Sequence, residues 1–288
     1  MRGQTLDNEF SYRKELTFEQ AEGAAPLPSQ LLPKQVSDGL KAKMWQIFHH
    51  SIDESGDNYV GDPWEQILRN HHVDRLHKPV DTFSDWKDHA ITEVKNCLFS
   101  NNYISFFGFI QYVLRDNRCP PFIRKAVPVI LTMHKAAYRV VDGDTIAPFA
   151  TEEEGATAQR ALDELKAAGM DGARSHLRNA MTNLTAGAWA DSVRESIHAV
   201  ESVARTIASG TKTLGPALTV IENKLGMHTA LKSGFGSIYG FTSDAGGIRH
   251  ALLDKGDADV DEADAMFMIG ACSAFVTYLI QKKRAAGI

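Results

Sequence analysis

Cysteine is scarce. Cys97, Cys119 and Cys272 are the only three in 288 residues. They are odd in number, far apart and never form a CxxC pair. Neither a disulfide framework nor a zinc ribbon is therefore expected, and a reducing, cytoplasmic setting is. The N-terminus, MRGQTLDNEF, lacks the apolar core of a secretory signal. Positive charge is not in excess: Lys and Arg total 31 against 36 Asp and Glu, a net charge of −5. That excludes a generally basic nucleic-acid coat but leaves room for a local basic patch. The uncharged run at residues 265–281 is 17 residues long. It falls just short of the roughly 18–20 that span a bilayer, so a core helix is expected there and no membrane partner.

Several catalytic signatures are also missing. GxSxG and GxxxxGK[ST] do not occur. GFGSIYG (234–240) has GxGxxxG spacing and follows no strand pattern, so the dinucleotide fingerprint fails and glycine-mediated helix packing is expected. DADVDEAD (257–264) begins like a calcium loop but has Glu262 at position six and Met268 at position twelve. It reads as the acidic start of a helix closed by Lys282, Lys283 and Arg284, as the helix dipole favours. His71, His72 and His77 sit near Asp74, yet adjacent side chains on a helix diverge by about 100°. Solvated or partner-facing histidines are expected, and no metal or other cofactor.

What is present is helical periodicity. Asp38 reads as the cap of a helix carrying Leu40, Met44, Ile47 and Phe48 on one face. Asp62-Pro63 opens a helix with a Trp64, Ile67, Leu68 stripe, and 83–99 and 102–115 read as two more. Pro120-Pro121 precedes a further one. YRVVDGDTIAPF (138–149) gives the one strand signal, two β-type segments around Asp142-Gly143, the preferred pair for a type I′ hairpin. Beyond it the composition turns Ala-rich. Helices are expected over 152–168, 172–186, 191–208 and 213–224, then a glycine-rich, less regular stretch, then the long last helix. The expected organisation is thus all-α, with residues 1–150 as an N-terminal helical domain bearing a small β-hairpin and 151–288 as a C-terminal helical bundle.

One polar constellation stands out. The 191–208 helix carries Arg194, Glu195, His198, Glu201, Ser202 and Arg205 beside its apolar stripe, and i, i+3 and i, i+4 spacings let these side chains meet. Further along, Ser243-Asp244-Ala245-Gly246-Gly247-Ile248-Arg249-His250 offers an Arg-His pair behind two glycines. Histidine exchanges protons near neutral pH, and arginine holds phosphate or stabilises charge on a phosphorane-like transition state. Such a pair without metal ligands suits RNA cleavage by the 2′-hydroxyl. A buried polar network tying helices together is the alternative.

The same stretches carry a family resemblance. DSVRESIHAVESVARTIASG (191–210), the region 214–252 and FMIGACSAFVTYLI (267–280) resemble the HEPN-type domain of AbiJ-like abortive-infection proteins. FSYRKEL (10–16), LKAKMWQIF (40–48), HKPVDTF (77–83) and YRVVDGDTIAPFATEEE (138–154) resemble, more loosely, the N-terminal domain found beside it. The resemblance implies a helical bundle, a role in antiphage defence, RNA as substrate, metal-independent endoribonuclease activity and a homodimer. A phage or host trigger would act through residues 1–150. Within that expectation, we take His250 as general acid/base and Arg249 as phosphate clamp, Glu195 and Glu201 as groups that orient or tune the pair, and Asp244 and Ser243 as caps of the helix that presents it. Arg194, His198 and Arg205 are the expected RNA contacts. The family motif, Arg and then His after four to six residues, does not occur here; Arg194-x3-His198 is one residue short and Arg249-His250 are adjacent. Two readings follow: a variant pair, or a catalytically inactive RNA-binding or dimerisation module.

Overall fold

The computed structural model describes residues 18–24, 29–54, 58–149, 151–244 and 260–288. After a single helical turn at Phe18–Ala21 come α1 (Asp38–Asp53), α2 (Trp64–Asp74), α3 (Lys87–Leu98), α4 (Tyr103–Arg115) and α5 (Pro121–Met133). A hairpin of β1 (Arg139–Val141) and β2 (Thr145–Ala147) follows, then α6 (Glu152–Ala167), α7 (Asp171–Ala186), α8 (Trp189–Ile207), α9 (Leu214–Leu225), α10 (Thr229–Asp244) and α11 (Glu262–Ala285). The protein is mainly α, with one small antiparallel hairpin among the described residues.

The apolar stripes sort into two cores. The first gathers α1 to α5 around Phe48, Phe106, Phe109, Ile110 and Leu114, and takes Ile146 from the hairpin. The second gathers α6 to α11 around Leu162, Leu177, Val200, Ile269 and Phe275, and takes Val141, Ala147 and Phe149. The hairpin thus lends one face to each core, as the two-residue period of a strand allows. The helix Glu262–Ala285 is apolar and long enough to cross a membrane. Its Ala265, Met268, Ile269, Cys272, Phe275, Val276 and Leu279 recur at helical spacing and are buried in the second core.

Local chemistry sets the boundaries. Thr151 and Glu154 close a capping box on α6, and Asp261 and Asp264 close another on α11. On α1 the cap is Ser37, whose hydroxyl accepts from the Leu40 amide; Asp38, the expected cap, is the first helical residue. Gly187 and Gly226 end α7 and α9 in the left-handed region, where a Cβ is costly. Asp142 and Gly143 both take positive φ (54° and 79°), as a type I′ turn demands. Val141 pairs with Thr145, so three residues rather than two separate the strands.

The region around GFGSIYG departs from expectation. It is not irregular but lies inside α10. Nor do its glycines mediate close packing: a Cβ added at Gly234, Gly236 or Gly240 would meet nothing within 4 Å. Phe235, Ile238 and Tyr239 pack against the second core, Phe235 stacked on Phe275 of α11. That apolar contact outweighs the helix cost of three glycines, roughly 1 kcal/mol each.

Candidate functional site

The site grows from the α7–α8 hairpin. Val193, Ile197, Val200, Ala204 and Ile207 turn one face of α8 into the core, and Ser192 donates to the Ala180 carbonyl of α7. The opposite stripe carries Glu195, His198, Ser202 and Arg205. Facing it from α7 is His176, eleven residues before Gly187 as His198 is eleven after it. An antiparallel pair turning at Gly187 brings those positions together.

Glu195 stands between the two histidines. Its Oε2 lies 2.8 Å from His176 Nδ1 and accepts a longer contact of 3.5 Å from Asn179 Nδ2. Its Oε1 lies 3.9 Å from His198 Nδ1. The two imidazole rings meet edge to face with centroids 5.3 Å apart. An ionised carboxylate only accepts, so His176 Nδ1 carries the proton and a neutral His176 keeps its lone pair on Nε2. Side-chain exposures of 38% for His176, 35% for His198 and 21% for Glu195 keep the cluster within reach of solvent.

The cluster opens into a groove of about 680 Å³ lined by His176, His198, Glu201, Ser202, Arg205 and residues of the 206–211 segment. Arg205 is exposed and makes no ion pair among the described residues. Arg194, an expected RNA contact, pairs with Asp191 one turn earlier and does not line the groove. Arg249 and His250 lie outside the described residues, as do the side chains of Ser243 and Asp244. The structure thus brings together His198, Glu195, Glu201 and Arg205, and adds His176, which periodicity alone did not single out.

An ionic clamp fixes α7. Arg174 Nη2 reaches both oxygens of Asp142 at 2.6 and 2.7 Å, and Arg178 bridges Asp142 (2.7 Å) and Asp144 (2.8 Å). Burial lowers the pKa of Arg178, but the Asp144 and Asp142 carboxylates outweigh it and raise it overall. The turn of the hairpin therefore holds the helix that presents His176.

A second titratable cluster lies in the first core. His71 and His72, expected to be solvated, are both buried. Glu93 takes one on each oxygen: Oε2 is 3.2 Å from His72 Nδ1 and Oε1 is 3.5 Å from His71 Nδ1. Their ring directions diverge, and the two arms of one carboxylate span that divergence. Burial would raise the Glu93 carboxyl, but His71 and His72 beside it hold it below its ordinary value. Thr82 donates to the Pro79 carbonyl and so accepts from His72 Nε2 at 2.9 Å. His77 is exposed and apart.

The cysteines are poor nucleophiles. Burial pushes Cys97 and Cys119 up to about 11 and Cys272 up to about 12. Comparisons with known protein families, curated proteins and solved structures return no match.

Proposed function

We propose that this chain is a cytoplasmic, abortive-infection-type effector that acts on RNA as a metal-independent endoribonuclease of the HEPN class, working as a homodimer. The observation that carries the reading is the groove in which two histidines flank one carboxylate beside an arginine that makes no ion pair among the described residues. Two histidines can serve as base and acid, and an arginine as charge stabiliser, in cleavage by the 2′-hydroxyl.

His176, its Nδ1 proton held by Glu195, takes the 2′-hydroxyl proton at Nε2. The 2′-oxygen attacks phosphorus and the bond to the 5′-oxygen breaks. His198, as the imidazolium, donates its proton to that leaving oxygen. The products are a 2′,3′-cyclic phosphate and a 5′-hydroxyl. Arg205 stabilises the negative charge that builds on the phosphoryl oxygens. Glu201 lines the same groove and orients these groups. Arg249 and His250, taken from the sequence as clamp and acid/base, lie outside the described residues and are tested alongside as the rival site. A trigger sensed by residues 1–150 would reach His176 through the Asp142 clamp on α7.

The test is incubation of the purified protein with tRNA and total RNA in excess EDTA. Variants His176→Ala, His198→Ala, Arg205→Ala, Arg249→Ala and His250→Ala run in parallel. Cleavage by the parent chain, lost in the first three, is the expected result. Salt-sensitive binding without cleavage supports the inactive RNA-binding module, which the absent family spacing favours. Cleavage that survives His176→Ala and His198→Ala overturns the assignment.

A further inference from the structure

We infer that His176, Glu195 and His198 form a binding site for one divalent transition-metal ion, Zn²⁺ being the best match, and that the ion switches off the acid/base chemistry proposed for the same groove. Metal binding stands on geometry alone. Only its effect on RNA rests on the functional reading above.

Each of the three residues offers one ligand atom, and these atoms lie within 4.8 Å of one another. A tetrahedral zinc ion bound at 2.0–2.1 Å would set neighbouring ligand atoms about 3.3 Å apart. His176 Nδ1 lies 2.8 Å from Glu195 Oε2 and His198 Nδ1 lies 3.9 Å from the other oxygen, Oε1, so the three ligand atoms, all within 4.8 Å, would draw together around an ion. The ion would take the place of the proton now shared between His176 and Glu195. Asn179 Nδ2, 3.5 Å from Glu195 Oε2, supplies an outer contact that steadies the carboxylate.

The donor set also selects the ion. Two imidazoles and one carboxylate suit Zn²⁺ or Co²⁺, whereas Mg²⁺ and Ca²⁺ seek more oxygen ligands. Three protein ligands would leave the fourth position open, and His176 and His198 both line the groove from which solvent could reach it. With the ion on Nδ1, His176 keeps its remaining proton on Nε2 and cannot accept one from a 2′-hydroxyl. An ion on His198 Nδ1 would likewise displace any proton there to solvent. One ion therefore removes both members of the pair.

The experiment uses the full chain stripped with chelator. Co²⁺ is titrated in and followed by its visible absorption, and Zn²⁺ is then added by calorimetry. The expected result is one Co²⁺ per chain with the intense bands of a low-coordinate site, displaced by Zn²⁺ and untouched by Mg²⁺. His176→Ala, His198→Ala and Glu195→Gln each weaken binding more than about tenfold. Circular dichroism checks the fold, and His176→Gln replaces the alanine variant if helix signal is lost. Absence of a Co²⁺ band overturns the site. So does binding that the triad variants leave unchanged, or binding that His72→Ala abolishes instead. In an RNA assay run on the chelator-stripped chain with the EDTA removed, Zn²⁺ at one equivalent stops cleavage by the parent chain. Zinc bound at the triad with RNA never cut leaves the metal site standing and refutes the ribonuclease reading. Zinc bound with cleavage undiminished refutes the switch.

Discussion

Replacing Asp142 by Asn tests the clamp that holds the site helix. Asp142 is 7% exposed at its side chain and receives Arg174 and Arg178 from α7. Asn keeps the shape and tolerates the positive φ at this position, so the backbone contribution stays small and the charge alone is removed. Removing one partner of a fully buried ion pair costs about 3–5 kcal/mol. Two features reduce that here. The guanidinium-bearing side chains stay 24% and 30% exposed, and Arg178 retains Asp144 at 2.8 Å. The expected loss is therefore about 2 kcal/mol. For a chain of this size that is a fall of roughly 4–8 °C in Tm. Urea unfolding followed by far-UV circular dichroism reads it, with Arg174→Met and the double variant completing a cycle. The double variant should lose less than the sum of the two singles, because Asp142 and Arg174 share one contact. A loss below about 0.5 kcal/mol for Asp142→Asn would show the clamp to be a screened surface pair and would refute the reasoning.

Glu93→Ala leaves His71 and His72 buried without their shared carboxylate and costs roughly 2–4 kcal/mol, measurable by the same unfolding curves. Because the folded carboxyl sits below its ordinary value, its contribution is complete above pH 4.5 and is lost as pH falls through the lower folded value. A parent-minus-Glu93→Gln difference that stays flat across that window would contradict the pairing. Gly236→Ala stabilises by about 0.5–1 kcal/mol, since the position is mid-helix, exposed and has room for a Cβ; a destabilised variant would show that α10 is not helical there. Thr151→Ala removes a capping box and costs about 1 kcal/mol, read by thermal melts. The three thiols react slowly with a disulfide reagent at pH 8 and quickly after denaturation, since burial raises them to about 11 or 12; rapid labelling of the native chain would contradict their burial.

The elements that could be read along the sequence were those with local causes. Apolar spacing located α8 and α11, proline opened α2 and α5, and Asp142-Gly143 marked the turn. The acidic run ending in Asp261 and Asp264 announced α11, whereas the Thr151 cap of α6 emerged only from the structure. The glycine count misled at α10, because propensity is a per-residue preference and the Phe235 contact with Phe275 is a tertiary one. His71 and His72 misled for the same reason: Glu93, which reconciles them, lies 21 residues from His72. His198 and Glu195 were visible as an i, i+3 pair, but His176 belongs to the neighbouring helix. Counting equal distances from Gly187 would have found it, since an antiparallel hairpin pairs residues symmetrically about its turn. Arg205 of the polar stripe lines the groove, and Arg194 of the same helix pairs with Asp191 away from it.

The most direct test of the central claim is the chemistry of the cut ends. A short labelled RNA is incubated with the full chain in excess EDTA, and the products are mapped by mass spectrometry. A 2′,3′-cyclic phosphate and a 5′-hydroxyl, formed by the parent chain and abolished by His176→Ala and by His198→Ala, is the predicted result. Ends bearing a 5′-phosphate, or cyclic-phosphate ends produced equally by both variants, would contradict it.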